Sequence, residues 1–159
     1  MDKKYEPIRS LDEIDTKIIK ILSHDSRTPY RAIADKLEIS VGTIHNRIEK
    51  LIERNIIKRF TAQVDHKVRG FNITAIIGIT LNDTTSLEWL KDSNLIKSIV
   101  VAYDVTGEYD AFIVAKFKNT DELNEFIKEL GKKPHVNRTY TQTVLNILKE
   151  DFESLDLEL

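Results

Sequence analysis

Ser40 to Asn55, SVGTIHNRIEKLIERN, decides how this chain reads. Ser40 is a favoured helix N-cap, because its hydroxyl can accept one of the N–H groups left free in a first turn. Asn55 can end the helix in the left-handed conformation that few residues besides glycine tolerate. Between them Ile44, Ile48 and Leu51 fall on one apolar stripe, which must face a core. The opposite face presents Thr43, His45, Asn46, Arg47, Glu49 and Lys50. Short polar groups come first and cations after, as base-edge reading and phosphate contact require of a helix in a DNA major groove. The preceding segment sharpens the reading. Thr28-Pro29 starts a short helix through Ile33, Ala34 and Leu37, and Glu38-Ile39-Ser40 makes a tight connection into the next one. Helix, short turn, helix is a DNA-binding module.

Upstream of this module, Ser10 and Glu13 have the S-x-x-E spacing of a capping box, and Leu11, Ile14, Ile18, Ile21 and Leu22 recur at helical spacing, which predicts a helix from about Asp12 to Ser23. Asp25-Ser26-Arg27 reads as a turn. Downstream, Ile56 to Val64 reads as a strand and Asp65-His66-Lys67 as a turn, so that residues 1–70 form a winged helix-turn-helix closing near Gly70.

Beyond Phe71 the period changes. Phe71 to Leu81 alternates, with Ile73, Ala75, Ile77, Ile79 and Leu81 on one face and Asn72, Thr74, Ile76, Gly78 and Thr80 on the other. A helix is expected over Thr85 to Lys91, a strand over Lys97 to Val105, a turn at Thr106 to Tyr109 and a strand over Asp110 to Phe117. Asn119 with Glu122 caps a helix carrying Leu123, Phe126, Ile127 and Leu130 and ended by Gly131; Arg138 to Leu148 is the last strand. The order βαββαβ predicts a ferredoxin-like sandwich over residues 71–159, an α+β fold with helices on one sheet face. The other face would carry Ile76, Val100, Ala102, Phe112, Val114, Tyr140 and Val144, too much apolar surface to leave wet. A second copy of the same sheet is the expected cover.

Charge separates the two halves. To Gly70 there are 15 Lys and Arg against 11 Asp and Glu, a net of +4, whereas the remainder carries −6. Phosphate attraction acts within a Debye length of about 8 Å, so the basic first half is the expected nucleic-acid surface. With no cysteine, disulfides, thiolate metal sites and cysteine nucleophiles are excluded. The four histidines, 24, 45, 66 and 135, have no ligand-like spacing, and no glycine-rich phosphate loop is present, so neither a metal nor a cofactor is expected. No apolar run approaches the ~20 residues that span a bilayer and no signal-peptide pattern opens the chain, which predicts a cytoplasmic protein.

Several short motifs together resemble the Lrp/AsnC, or feast/famine, family of transcriptional regulators: Leu11-Asp12-x-x-Asp15-x-x-Ile18, Asp25-x-Arg27, Ser40-x-x-Thr43-Ile44-x-x-Arg47-Ile48-x-x-Leu51, Gly70, Thr106-Gly107-Glu108-Tyr109-Asp110 and Arg138-Thr139-Tyr140. The resemblance spans nearly the whole chain. It implies a DNA-binding domain joined to an effector-binding and oligomerisation domain, homodimers paired through their sheets and assembling to tetramers or octamers, and an amino acid or related metabolite bound between dimers near residues 107–110. Two positions depart from the family's pattern: Glu38 stands where glycine is usual, and Gly42 lies in the first turn of the second helix.

The candidate contacts with double-stranded DNA are Ser40, Thr43, His45, Asn46, Arg47, Lys50, Arg54 and Lys58, with Arg47 foremost because it matches an arginine of the family motif. Thr43, His45 and Asn46, in the N-terminal half of the helix, are better placed for base edges. The candidate effector residues are Gly107, Glu108, Tyr109, Asp110, Tyr140 and Thr141. The same loop also reads as a plain hairpin turn, with glycine supplying the positive φ and Asp110 bonding its own backbone. Siroheme decarboxylases resemble the same two-domain architecture, but they would need a histidine and basic residues in a second half that here is acidic and holds only His135 beyond Phe71. A metabolite-binding module that no longer touches DNA is a further alternative.

Overall fold

The computed structural model describes residues 11–82, 87–91 and 94–151. Two compact units emerge, one of residues 1–63 with 149–159 and one of residues 64–148.

The first unit is built on three helices, α1 (Glu13–His24), α2 (Tyr30–Leu37) and α3 (Val41–Glu53). Their apolar stripes converge, so Ile18, Ile33, Ile44, Ile48 and Leu51 are all at most 1% exposed. Burying each such side chain contributes roughly 1.5 to 3 kcal/mol. Asp12, not Ser10, caps α1: its side chain accepts the Asp15 N–H at 2.8 Å. Either residue can cap, but Asp12 adds a formal negative charge at the positive end of the helix dipole. Ser10 lies outside the described residues. Asp25 makes the expected turn, accepting the Arg27 N–H at 2.9 Å. Glu38 ends α2 in the left-handed region at φ 56°, and Ser40 caps α3 by accepting the Thr43 N–H at 3.1 Å.

The strand expected over Ile56 to Val64 does not form among the described residues. Asn55 turns the chain at φ 58°, the N–H groups of Ile56 and Ile57 both reach back to the Leu51 carbonyl, and the two isoleucines pack on the three-helix core. No described strand lies beside residues 58–64, so the alternation there has no ladder to join. Among the described residues the unit is a helix-turn-helix without a formed wing. The turn after it is present, with Asp65 accepting the Lys67 N–H at 2.8 Å. The chain rejoins this unit near its far end, where the Gln63 side-chain amide donates to the Glu150 carbonyl at 3.1 Å.

The second unit is a four-stranded antiparallel sheet of β1 (Ile73–Leu81), β2 (Ile99–Asp104), β3 (Ala111–Phe117) and β4 (Val136–Thr143), in the spatial order β2-β3-β1-β4. The order is that of a ferredoxin-like sheet. One face, with Ala75, Ile77, Ile79, Ala111, Ile113, Ala115 and Phe117, is buried under helix α4 (Thr120–Gly131) and two 3₁₀ segments, Leu87–Leu90 and Asn94–Ser98. Asn119 caps α4 as expected, accepting the Glu122 N–H at 2.9 Å, and Glu122 reaches back to the Lys118 N–H. Gly131 is inside α4 and has no positive φ; Lys132 is the cap. Where a helix was expected over Thr85 to Lys91, residues 87–90 form a 3₁₀ turn, and residues 85 and 86 lie outside the described residues. The last strand ends at Thr143 rather than Leu148, because β1, its only neighbour among the described residues, begins at Ile73 and the ladder has little more to bond.

The uncovered face differs from its expected composition in β2. The register shifts between Ile99 and Val101, so Val101 opposes Val114 and Tyr103 opposes Phe112. A bulge inserts one residue and inverts the side-chain parity beyond it. Val101 and Tyr103 therefore join Ile76, Phe112, Val114 and Tyr140 on the uncovered face, whereas Ala102 pairs with Ile113 on the other.

Candidate nucleic-acid interface and effector loop

Helix α3 owes its place to its two faces. Ile44, Ile48 and Leu51 hold it on the core, and rotation by roughly half a turn leaves Thr43, Asn46, Lys50 and Arg54 beside a surface depression that Asp12, Asp15 and Arg47 also line. Thr43, His45, Asn46 and Lys50 are exposed. The Ser40 hydroxyl lies 2.8 Å from that of Thr43, so the cap and the first exposed polar side chain of the helix share a hydrogen bond. The His45 ring meets Tyr30, at the start of α2, edge-on at 6.0 Å. Lys58 follows the helix in an exposed irregular stretch.

Arg47 is placed otherwise than a freely projecting cation. Its Nη1 donates to Asp12 Oδ2 at 2.6 Å and to Asp15 Oδ1 at 2.7 Å. Its side chain is 26% exposed, against 11% for Asp15. Asp12 titrates below the ordinary aspartate value, first because the Asp15 N–H bonds its carboxylate and then because of the Arg47 hydrogen bond; the two carboxylates in turn raise Arg47. Asp12 and Asp15 were legible as a motif but not as a site. Nothing in their spacing says that their partner lies on α3.

In the second unit, Gly107 takes φ 125°, which a side chain would strain. Glu108 is exposed beside it. Asp110 is a backbone fastener: its N–H donates to the Ile79 carbonyl at 2.9 Å, its carbonyl accepts the Val105 N–H at 3.0 Å, and its Oδ2 accepts the Leu81 N–H at 2.7 Å. The carboxylate thus bonds across to β1, not to its own turn. Tyr109 lies over Gly78, where an added Cβ would come within 2.7 Å of the ring, and it packs against Phe112 at 5.0 Å and Tyr140 at 5.2 Å. A lone glycine within an apolar strand was the signal for that close approach. Tyr140 opposes Gly78 and Thr141 opposes Ile77, so these two neighbours point to opposite faces and only Tyr140 joins the Tyr109 cluster. Arg138, which the family motif includes but the candidate effector residues do not, donates to the Tyr140 hydroxyl at 3.0 Å on the same face; that bond raises the arginine above its ordinary value.

Comparison with known proteins bears on the two domains that carry these residues. Residues 11–52 match the AsnC-type helix-turn-helix domain, and residues 74–154 match the Lrp/AsnC ligand binding domain. An uncharacterised HTH-type transcriptional regulator of Pyrococcus abyssi is 44% identical over 142 residues, which is 89% of this chain and 97% of that one. The solved structure of Escherichia coli AsnC superposes with a TM-score of 0.79 at 28% identity, covering 88% of this chain and 95% of the other. The fold is also that of the transcriptional regulator NMB0573 of Neisseria meningitidis in complex with L-Met, with a TM-score of 0.80 at 18% identity and coverage of 91% and 96%. A capped, amphipathic second helix on a three-helix core, a four-stranded antiparallel sheet carrying the Gly107–Asp110 loop, and these matches together place the chain in the Lrp/AsnC family of DNA-binding transcriptional regulators.

Proposed function

We propose that residues 1–70 form the DNA-binding domain and residues 71–159 the effector-binding and oligomerisation domain of a regulator that reads a roughly palindromic operator as a dimer. The exposed face of α3 carries this reading, because Thr43, His45 and Asn46 stand at its N-terminal half, where recognition helices meet base edges. Lys50 and Lys58, with Arg54 between them, supply phosphate contacts, and Ser40 sets the start of the helix. The chain acts by binding and not by catalysis. The test is selection from a random-sequence DNA pool with the full-length protein. Two half-sites about one helical turn or a multiple apart are expected, and Lys50→Ala should lower the salt slope of binding by about 0.9 without changing the preferred sequence. A wild-type protein that enriches no sequence defeats the reading.

The second domain takes a small zwitterion of the amino-acid class at the Gly107–Asp110 loop. The L-Met complex of the Neisseria regulator supports that ligand class. The Glu108 carboxylate and the Asp110 oxygen not bonded to Leu81 suit an ammonium group; Tyr109 and Tyr140 offer an apolar wall, with Thr141 at the opposite face of the strand. A ligand shared between dimers would couple to assembly or DNA affinity by about 1 to 3 kcal/mol. A thermal-shift screen of the twenty amino acids should give a stabilised hit that Glu108→Gln weakens. Asp110→Asn, which keeps the acceptor for Leu81, separates ligand loss from loop collapse. No hit among the twenty leaves the loop as a structural turn.

A further inference from the structure

Arg47 is the cation that motif matching assigns first to DNA, yet it is bound by two carboxylates of another helix. Asp12 has a double duty there. One oxygen caps α1 by accepting the Asp15 N–H at 2.8 Å, and the other accepts from Arg47 at 2.6 Å. Asp15, the more buried partner, bonds the same Nη1. The α1 N-terminus is thus tied to the middle of the recognition helix by one guanidinium group, next to Asn46 and one turn from Thr43 on one side and Lys50 on the other.

We infer that Arg47 is a positioning residue: with Asp12 and Asp15 it clasps α3 to α1 and holds the base-reading face at its docking angle, instead of contacting a phosphate. The inference rests on the DNA-binding role of α3. Its physical basis is competition. A phosphate could recruit this arginine only by stripping it from two carboxylates, one of them largely shielded from water, and unpairing a shielded charge is costly. The same carboxylates put two negative charges beside the DNA face, so a released Arg47 would leave repulsion behind it. Removing a clasp partner should therefore weaken DNA binding through geometry, without changing the number of phosphates neutralised.

The two roles predict opposite signs. The probe is a DNA fragment selected from a random pool by the wild-type protein, and its binding to that protein stands as the control for the DNA-binding role itself. Full-length Arg47→Ala, Asp12→Asn and the double variant are measured across a salt series, at a temperature where circular dichroism shows each folded. Asparagine retains the α1 cap through its one amide oxygen, so Asp12→Asn removes the charge and the acceptor facing Arg47 while sparing the helix start. As a positioning cluster, both single variants should lose affinity, by roughly tenfold for Arg47→Ala, and the double variant should lose little more, because contacting residues are not additive. The salt slope should stay at the wild-type value. Three outcomes overturn the inference: a slope reduced by about 0.9 in Arg47→Ala, tighter binding in Asp12→Asn as the arginine is freed, or unchanged affinity in all folded variants. Asp12 is half exposed, 53% at its side chain, so its variant remains measurable even where Arg47→Ala fails to fold.

Discussion

Glu38 closes α2 at φ 56° and ψ 39°, a conformation that costs a residue with a Cβ roughly 1 to 2 kcal/mol. The family usually has glycine there, and the turn has kept the left-handed geometry instead of reshaping around glutamate. Its N–H still bonds the Ala34 carbonyl, so the helix end is satisfied and only the local strain remains. Glycine would remove that strain but add freedom to the unfolded chain, which returns part of the gain. Glu38→Gly should accordingly stabilise the helix-turn-helix unit by about 1 kcal/mol, read as a higher denaturant midpoint with an unchanged m-value. A lower midpoint would mean that the Glu38 side chain contributes more than its backbone costs. Asn55, at φ 58°, makes the same kind of turn with a residue suited to it.

At the scale of the element, one ionised carboxylate, Asp12, both caps α1 and bonds Arg47 of α3. Asp12 titrates below 3.8 in the folded protein because the Asp15 N–H and Arg47 both favour its charged form. For a depressed carboxylate the sign is fixed: its contribution is fully present above the unfolded value near 3.8 and is lost as the pH falls through the lower folded value. Acid unfolding of the wild-type three-helix unit should therefore include a step below about pH 4 that is absent in Asp12→Asn, followed by helical circular dichroism. Coincident acid transitions in the two proteins would show that the Asp12 charge contributes nothing. The β2 strand teaches a different lesson at the same scale, since one inserted residue near Val100 exchanged which side chains face outward.

For the whole molecule, the second face of the sheet needs a cover. Tyr103 is 55% exposed and Tyr140 38%, beside Ile76, Phe112 and Val114. We expect a second copy of the sheet to pack there, as the αβ architecture demands two layers on a sheet with two apolar faces. Phe112→Asp should then convert the full-length protein from dimer or larger assembly to monomer in light scattering at micromolar concentration, with its circular dichroism retained because Phe112 is only half-buried within one chain. A variant that remains a dimer would place the pairing surface elsewhere.

What the sequence by itself determined was the periodic content. The stripe of Ile44, Ile48 and Leu51, the alternation of Ile73 to Leu81 and the caps at Ser40 and Asn119 are local, and the structure repeats each of them. These features depend on residues three or four apart, or two apart in a strand, so distance along the chain is enough to read them. The Gly107–Asp110 turn was legible on the same ground, although the partner of the Asp110 carboxylate was not. Only the tertiary structure decided where long-range partners lie: Arg47 on Asp12 and Asp15, Asp110 on Leu81, Tyr109 over Gly78. It also decided that Ile56 to Val64 joins no ladder among the described residues and that β2 carries a bulge. A strand's pairing is a property of its neighbour as much as of its own residues, and an ion pair spanning 32 positions is set by how two helices pack, which no spacing within either helix encodes.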